Sequence, residues 1–301
     1  MESQISPLII TNQPGIRMQP TWDDPFAFVV SLDPLTRHEF FYINGKIKDG
    51  WITDRDIEII QFLAVHRWIT LSQLTRLFFS GSDNTTVRNR LKKLMKLGLL
   101  RRIQWKTYCN PLQNRPTIYE MGSSAADILK FRYGAFLGNR DPRRPKEVSM
   151  LFRQKYIVTN EFFILLRKSF DVKHFEFHPV LKHKEDQVVP TAHFILGTPK
   201  GKKLDFHLLC HREEENWLKT IRYQAKFCKE YFDTNGIRST LVVLVSSDEK
   251  AELASKICEQ EGTSEYTWFI TDQELEECAD DGLTSSFFVF KNGEKNYYDL
   301  R

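Results

Sequence analysis

Nine lysines and arginines stand between positions 83 and 115 (Arg88, Arg90, Lys92, Lys93, Lys96, Arg101, Arg102, Lys106 and Arg115) against one acid, Asp83, a local net charge of +8. Side chains of this kind at this density neutralise phosphate and release the counterions condensed on it, so binding through them is steeply salt-dependent. The chain of 301 residues carries a formal net charge of only +4, and a nucleic-acid reading therefore rests on where the charge sits rather than on the total. The far end is opposite in sign. Positions 246–301 hold fourteen acids and five bases, a net of −9, and would repel phosphate.

Six histidines, His174, His178, His183, His193, His207 and His211, raise a second chemistry, metal ligation. In a strand His174 and His178 share a face, as do His207 and His211, so a cross-strand cluster is geometrically accessible. Histidines are also ordinary residues of half-buried strands, and none here has the HExxH spacing, so the expectation is no metal and no cofactor. Cys109, Cys210, Cys228, Cys258 and Cys278 are odd in number, widely spaced and without a CxxC pair. Neither a disulfide framework nor a four-cysteine zinc site is indicated, and a reducing cytoplasm fits. The opening "MESQISPLIITNQPGIRMQP" lacks a basic start followed by an apolar core, and no run approaches the roughly 20 apolar residues that span a bilayer. The expectation is a soluble, cytoplasmic protein with no membrane partner.

The basic cluster needs a scaffold, and the preceding residues supply one. Thr53 precedes "DRDIEIIQFLAVHRW", with Asp54 and Asp56 in the first turn and Ile57, Ile60 and Leu63 at helical spacing, the pattern of a capped amphipathic helix. Thr70 caps a shorter helix, "LSQLTRLFF". After the turn "SGSD", Ser82 or Asp83 caps a third, in which Val87, Leu91, Leu94, Met95 and Leu97 form an apolar face. Gly98 ends it. Thr85, Thr86, Arg88, Asn89, Lys92 and Lys93 then cluster toward the N-terminal half on the opposite face, the end of a recognition helix that approaches bases and phosphates. "LLRRIQWKTY", "CNPLQNRP" and "TIYEMG" read as strand, loop and returning strand, a hairpin wing with Arg101, Arg102, Lys106 and Arg115 on or beside it. Three capped helices and a basic hairpin are the pattern of a winged helix-turn-helix that contacts double-stranded DNA.

Outside this unit, 1–50 reads as an extended, proline-bearing arm plus a small hairpin turning at Asn44-Gly45 in "HEFFYINGKI". The winged helix occupies 51–137. "GNRDPRRPKE" (138–147) reads as a linker, with Arg143 and Arg144 solvated, and 148–301 as a second domain. There, a helix in "VSMLFRQKYIVTNEFFILLRK" precedes strands in "KHFEFHPVL", "VVPTAHFIL" and "KKLDFHLLCH". A long helix near 213–233, the strand "TLVVLVS", a helix over 248–261 and the strand "YTWFI" follow, which together imply a mixed sheet covered by helices. The fold class is thus α+β and α/β, an N-terminal winged helix followed by a C-terminal mixed-sheet domain.

"WITDRDIEIIQFLAVHRWITLSQLTRLFF", "TVRNRLKKLMKLGLLRR", "YEMGSSAADIL" and "FRQKYIVTNEFFILLRK" together resemble the replication-relaxation family of plasmid and mobile-element proteins, across roughly 51–245. The resemblance implies a winged helix joined to a restriction-endonuclease-like domain, acting in replication, mobilisation or transcription control of a mobile element. It also implies where a nuclease site would stand. Family members carry Pro-Asp where this chain has Pro190-Thr191, and Glu-x-Asp where "DFHLLCHR" offers Leu209, Cys210 and His211. Lys219, four before Tyr223, fits the remaining pattern, but a lone lysine cannot hold a hard divalent cation. Asp186, Asp205 and Glu213 are the nearby acids that could compensate. The expectation is a DNA-binding protein with no catalytic residues, whose second domain serves self-association or another protein. A metal-dependent nuclease and a protein-binding adaptor are the alternatives. Trp217, Tyr223 and Phe227 are spaced as a core-facing helix stripe.

Overall fold

The computed structural model describes residues 22–144, 147–198, 201–278, 282–291 and 293–300. The extended arm before Trp22 and the linker's Pro145 lie outside them. The fold is mixed α and β and divides into two compact units, the first comprising Phe26–Asn160 and the second Glu161–Arg301 together with the segment ending at Pro25.

Unit 1 runs β1 (Ala27–Leu32), α1 (Phe40–Lys48), α2 (Asp54–His66), β2 (Trp68–Thr70), α3 (Leu71–Phe78), α4 (Asn84–Lys96), β3 (Leu100–Thr107), β4 (Ile118–Met121) and α5 (Ser123–Tyr133). The first turn of α2 is fixed by a capping box between Thr53 and Asp56, and that of α3 by one between Thr70 and Gln73, each supplying partners to otherwise orphaned N–H groups. Ile57, Ile60, Leu63, Leu74, Val87, Leu91 and Leu94 meet in one buried core. Gly98 ends α4 with φ +68, and a Cβ there would lie 2.3 Å from the Thr36 carbonyl oxygen, so only glycine allows the chain to turn into β3 here.

The predicted hairpin at Asn44-Gly45 is instead helix α1. Its spacing explains why: Ile43 is buried in the core, with Phe40 and Ile47 packed beside it, a helical stripe whose burial outweighs the turn preference of Asn-Gly. A Cβ at Gly45 would meet nothing within 4 Å, so this glycine costs only helix propensity. Neither α1 nor β1 is part of an arm. β1 pairs antiparallel with β3, giving the sheet order β1-β3-β4-β2.

The stretch expected to be a linker is held to unit 1. Leu137, immediately before it, joins the unit 1 core, Arg140 donates to the Ala64 carbonyl at 3.1 Å, and Arg143 bonds Asp141 and Asp127. Its prolines and charges suggest solvation, whereas these arginines find buried or half-buried acceptors. The boundary between the units falls later, within α6 (Met150–Ser169).

Asn160 closes a buried polar knot in unit 1. It accepts a hydrogen bond from His66 Nδ1 at 2.8 Å and donates to the Trp68 carbonyl at 2.7 Å. Burial pushes the His66 imidazole down to about 4, against the raising effect of Asn160. A histidine with a depressed folded pKa contributes stability that is complete above its unfolded value of about 6.5 and is lost as pH falls toward 4. Unit 1 should therefore lose about 1.4 kcal/mol per pH unit in that window, up to roughly 3 kcal/mol. Denaturant titrations at several pH values should show the slope, and His66→Gln should remove about one proton from it.

Unit 2 continues with β5 (Asp171–Phe177), the hairpin β6 (Leu181–His183) and β7 (Asp186–Val188), β8 (Ala192–Gly197), β9 (Lys203–Cys210), α7 (Trp217–Asn235), β10 (Thr240–Val245), α8 (Asp248–Gln260), β11 (Thr267–Thr271), α9 (Asp272–Glu277), β12 (Phe288–Lys291) and β13 (Glu294–Tyr297). The main sheet has the order β13-β12-β11-β10-β9-β8-β5. β9, β10 and β11 run parallel and the remaining neighbours antiparallel. Its central strand "TLVVLV" is buried almost throughout, as expected for a strand covered on both faces. Two predicted strands are shorter than their sequence pattern suggests: β5 stops before His178, whose φ is +52, and β8 starts only after Pro190, which lacks a ladder donor.

Candidate nucleic-acid interface

α4 divides cleanly. Val87, Leu91 and Leu94 are buried, while Thr85, Thr86, Arg88, Asn89, Lys92 and Lys93 are all exposed. The exposed residues recur at helical spacing, so they form one continuous polar arc opposite the core. Arg90 does not belong to it. Its guanidinium bonds Asp56 and donates to the Trp51 carbonyl at 3.0 Å, tying α4 to α2.

The N-terminus of α4 is already occupied by an anion. Asp83 accepts from the backbone N–H groups of Thr85 and Thr86 at 2.8 and 2.9 Å, and from the Thr86 hydroxyl at 2.6 Å. The Thr86 hydroxyl holds the Asp83 carboxyl below its usual range, aided by these backbone donors. A carboxylate there complements the helix dipole and excludes phosphate from the same donors. The side chains left to meet a phosphate lie further along the helix, beginning with Arg88.

On β3 the alternation sorts the basic residues into two groups. Arg101 lies opposite Glu120 in the ladder and ion-pairs with it, its side chain only 17% exposed; the Trp68 indole also donates to Glu120, at 2.6 Å. Arg101 is thus built into the structure and absent from the exposed surface. Arg102, Gln104 and Lys106 share the other face. Arg102 reaches Asp33 at 3.3 Å with both groups partly exposed, a pairing weak enough for phosphate to displace. Arg115 lies over the Trp105 ring, 5.4 Å from its centroid, which fixes it beside the hairpin loop.

Tyr119, opposite Arg102 in the ladder, shows that helix and hairpin converge. Burial pushes its phenol up, and the opposing pull comes from both Arg102 and Arg88. One side chain therefore feels a guanidinium from each element. Sequence reasoning missed Tyr119, Gln104 and the counter-ion Asp33; strand alternation could have found Gln104, but Asp33 required knowing that β1 borders β3.

In unit 2 Thr191 lies beside the Leu208–Cys210 stretch of β9, the positions at which the resemblance would place nuclease carboxylates. The Thr191 N–H donates to the Leu208 carbonyl at 2.8 Å, and Thr191 Oγ1 accepts from the Cys210 N–H at 3.0 Å. Thr191, Leu209 and His211 are all buried, and Lys219 is exposed. The three compensating acids disperse: Asp186 meets the Tyr223 hydroxyl at 3.5 Å, Asp205 meets His193 at 2.9 Å, and Glu213 meets Lys250. Trp217 and Phe227 are buried as the stripe predicted, but Tyr223 is 45% exposed, because the buried row of α7 runs through Ile221, Ala225, Cys228 and Phe232. Among the described residues, no helix is long and apolar enough to cross a membrane.

No curated protein and no solved structure matches the chain. The family model described as replication-relaxation matches residues 60–179, from within α2 to just past β5. That match bears out the resemblance carried by these helices and supports a role in replication or mobilisation of a plasmid or mobile element.

Proposed function

We propose that unit 1 is a winged helix-turn-helix that binds double-stranded DNA in replication, mobilisation or transcription control of a plasmid or mobile element, without catalysis. The observation that carries this reading is that the Arg102 face of β3 packs with α4 in one core, through Leu100, Tyr119, Val87 and Leu91, so that Arg102 borders the exposed α4 arc. α4 enters the major groove, Arg88, Asn89 and Lys92 reach base edges and phosphates, and the β3–β4 hairpin lies on the flanking backbone. Unit 2, with its acidic final third, serves self-association or a second protein.

Because hairpin contacts to phosphate carry little base information, Arg102→Ala with Lys106→Ala should weaken binding to all duplex sequences by a similar factor. Competition assays on several unrelated duplexes check this, and loss confined to one sequence would count against the assignment.

A protein-binding adaptor is the second reading, favoured by rings left in solvent on unit 1, among them Phe41 at 83% and Phe136 at 88% exposure, since such exposure commonly marks protein contact. A gel-shift series over salt, with and without Mg²⁺, separates the possibilities. The proposal expects a shift that weakens steeply with salt and intact DNA in every lane. Cleavage in the Mg²⁺ lanes would favour a nuclease, and absence of any shift the adaptor.

A further inference from the structure

Strands β8 and β9 bring two histidines and a carboxylate from separate stretches of sequence onto one face of the unit 2 sheet. His193 on β8 pairs in register with His207 on β9, and Asp205 lies two residues before His207 on the same strand, hence on the same face. The His193 and His207 ring centroids are 4.7 Å apart. His193 Nε2 is 2.9 Å from Asp205 Oδ2, and His207 Nδ1 is 3.8 Å from Asp205 Oδ1. One ligand atom from each of the three residues lies within 4.8 Å of the other two. Asp205 Oδ1 is buried and has no hydrogen-bond partner of good geometry among the described residues.

We propose that His193, Asp205 and His207 form a binding site for a divalent transition-metal ion of the zinc class. Tetrahedral coordination at zinc bond lengths separates neighbouring donors by about 3.4 Å, and the two observed separations bracket that value. The His193 distance ends on Oδ2 and the His207 distance on Oδ1, so the Asp205 carboxylate chelates the ion or turns one oxygen toward both rings. The donor set is two imidazoles and one carboxylate, which suits Zn²⁺, Co²⁺ or Ni²⁺ and disfavours Mg²⁺. Ser239 Oγ, just before β10, lies 2.8 Å from that same His207 Nδ1, so this hydrogen bond gives way when the ion binds. Phe232 covers the His207 ring, its centroid 5.2 Å away.

The site has an entrance: the side chains of His193 and Asp205 are 20% and 32% exposed, whereas that of His207 is 6% exposed. A second set, His174, Glu176 and His193, shares His193 but lies at the exposed strand β5.

The test is calorimetric titration of the chelator-stripped full chain with Zn²⁺, paired with Co²⁺ absorption spectra. One equivalent is expected to bind, with Asp205→Asn and His193→Ala each weakening affinity at least about tenfold. Glu176→Gln and His174→Ala should leave affinity within roughly threefold, and excess Mg²⁺ should not compete. The Co²⁺ spectrum should lack thiolate charge transfer, which excludes Cys109 and Cys278 as the ligands. Asp205→Asn preserves shape, and thermal unfolding without metal verifies that it folds. The proposal is overturned by absence of stoichiometric binding, by a thiolate band, by unchanged affinity in Asp205→Asn, or by equal loss in Glu176→Gln, which would move the site to the exposed set.

Discussion

Replacing Arg88 and Lys92 together with alanine is expected to weaken duplex binding by roughly 1–3 kcal/mol for each contact removed, at least tenfold in all. The slope of log affinity against log salt should become shallower by about 0.9 for every phosphate contact that is lost. Both side chains are exposed on the arc opposite the core, so neither truncation opens a cavity and thermal stability should stay within about 0.5 kcal/mol of the parent. That separation of binding from stability gives the prediction its force. Fluorescence anisotropy over a salt series measures both quantities, and a folded double variant with unchanged affinity would remove α4 from the interface.

Asp56→Ala is expected to produce the largest loss of stability, roughly 3–5 kcal/mol, because it strands a half-buried guanidinium and removes a helix cap at once. Asp56 is fully buried. It accepts from the Thr53 backbone N–H and hydroxyl, both at 2.8 Å, and from Arg90 Nε at 3.0 Å. No rearrangement supplies those three donors with another anion, since the Asp56 carboxylate lies at their centre. Denaturant unfolding measures the loss. Arg90→Met offers an internal comparison: it keeps the cap, covers the same apolar surface and should cost less than Asp56→Ala. If Arg90→Met costs as much, the guanidinium rather than the cap and charge balance holds the helices together.

The helices of unit 1 were legible because each carries its own local signals. Thr53, Thr70 and Asp83 stand where they cap α2, α3 and α4, and the apolar spacing within each is regular. α1 was not, because "YINGK" contains a strong turn signal that only burial of Ile43 against a distant core overrides. Strand β1 was hidden for a related reason. Its partner β3 is more than seventy positions away, and nothing in "AFVVSL" says which edge it will border. The exposed α4 residues were readable from helical period alone. Arg101 was not separable from Arg102 until the ladder placed Glu120 opposite the first. The histidine cluster shows the same limit from the other side: residue types announce it, but pairing of His207 with His193 rather than with His211 depends on strand register.

α4 meets two sets of demands that do not overlap. Val87, Leu91, Leu94 and Arg90 answer to the core and to Asp56, while Thr85, Arg88, Asn89, Lys92 and Lys93 answer to whatever lies outside. Changes in the second set pass without penalty to folding, so under the proposed reading the recognised DNA sequence could drift while the scaffold stays fixed. A new address would then require only a few exposed substitutions on one helix.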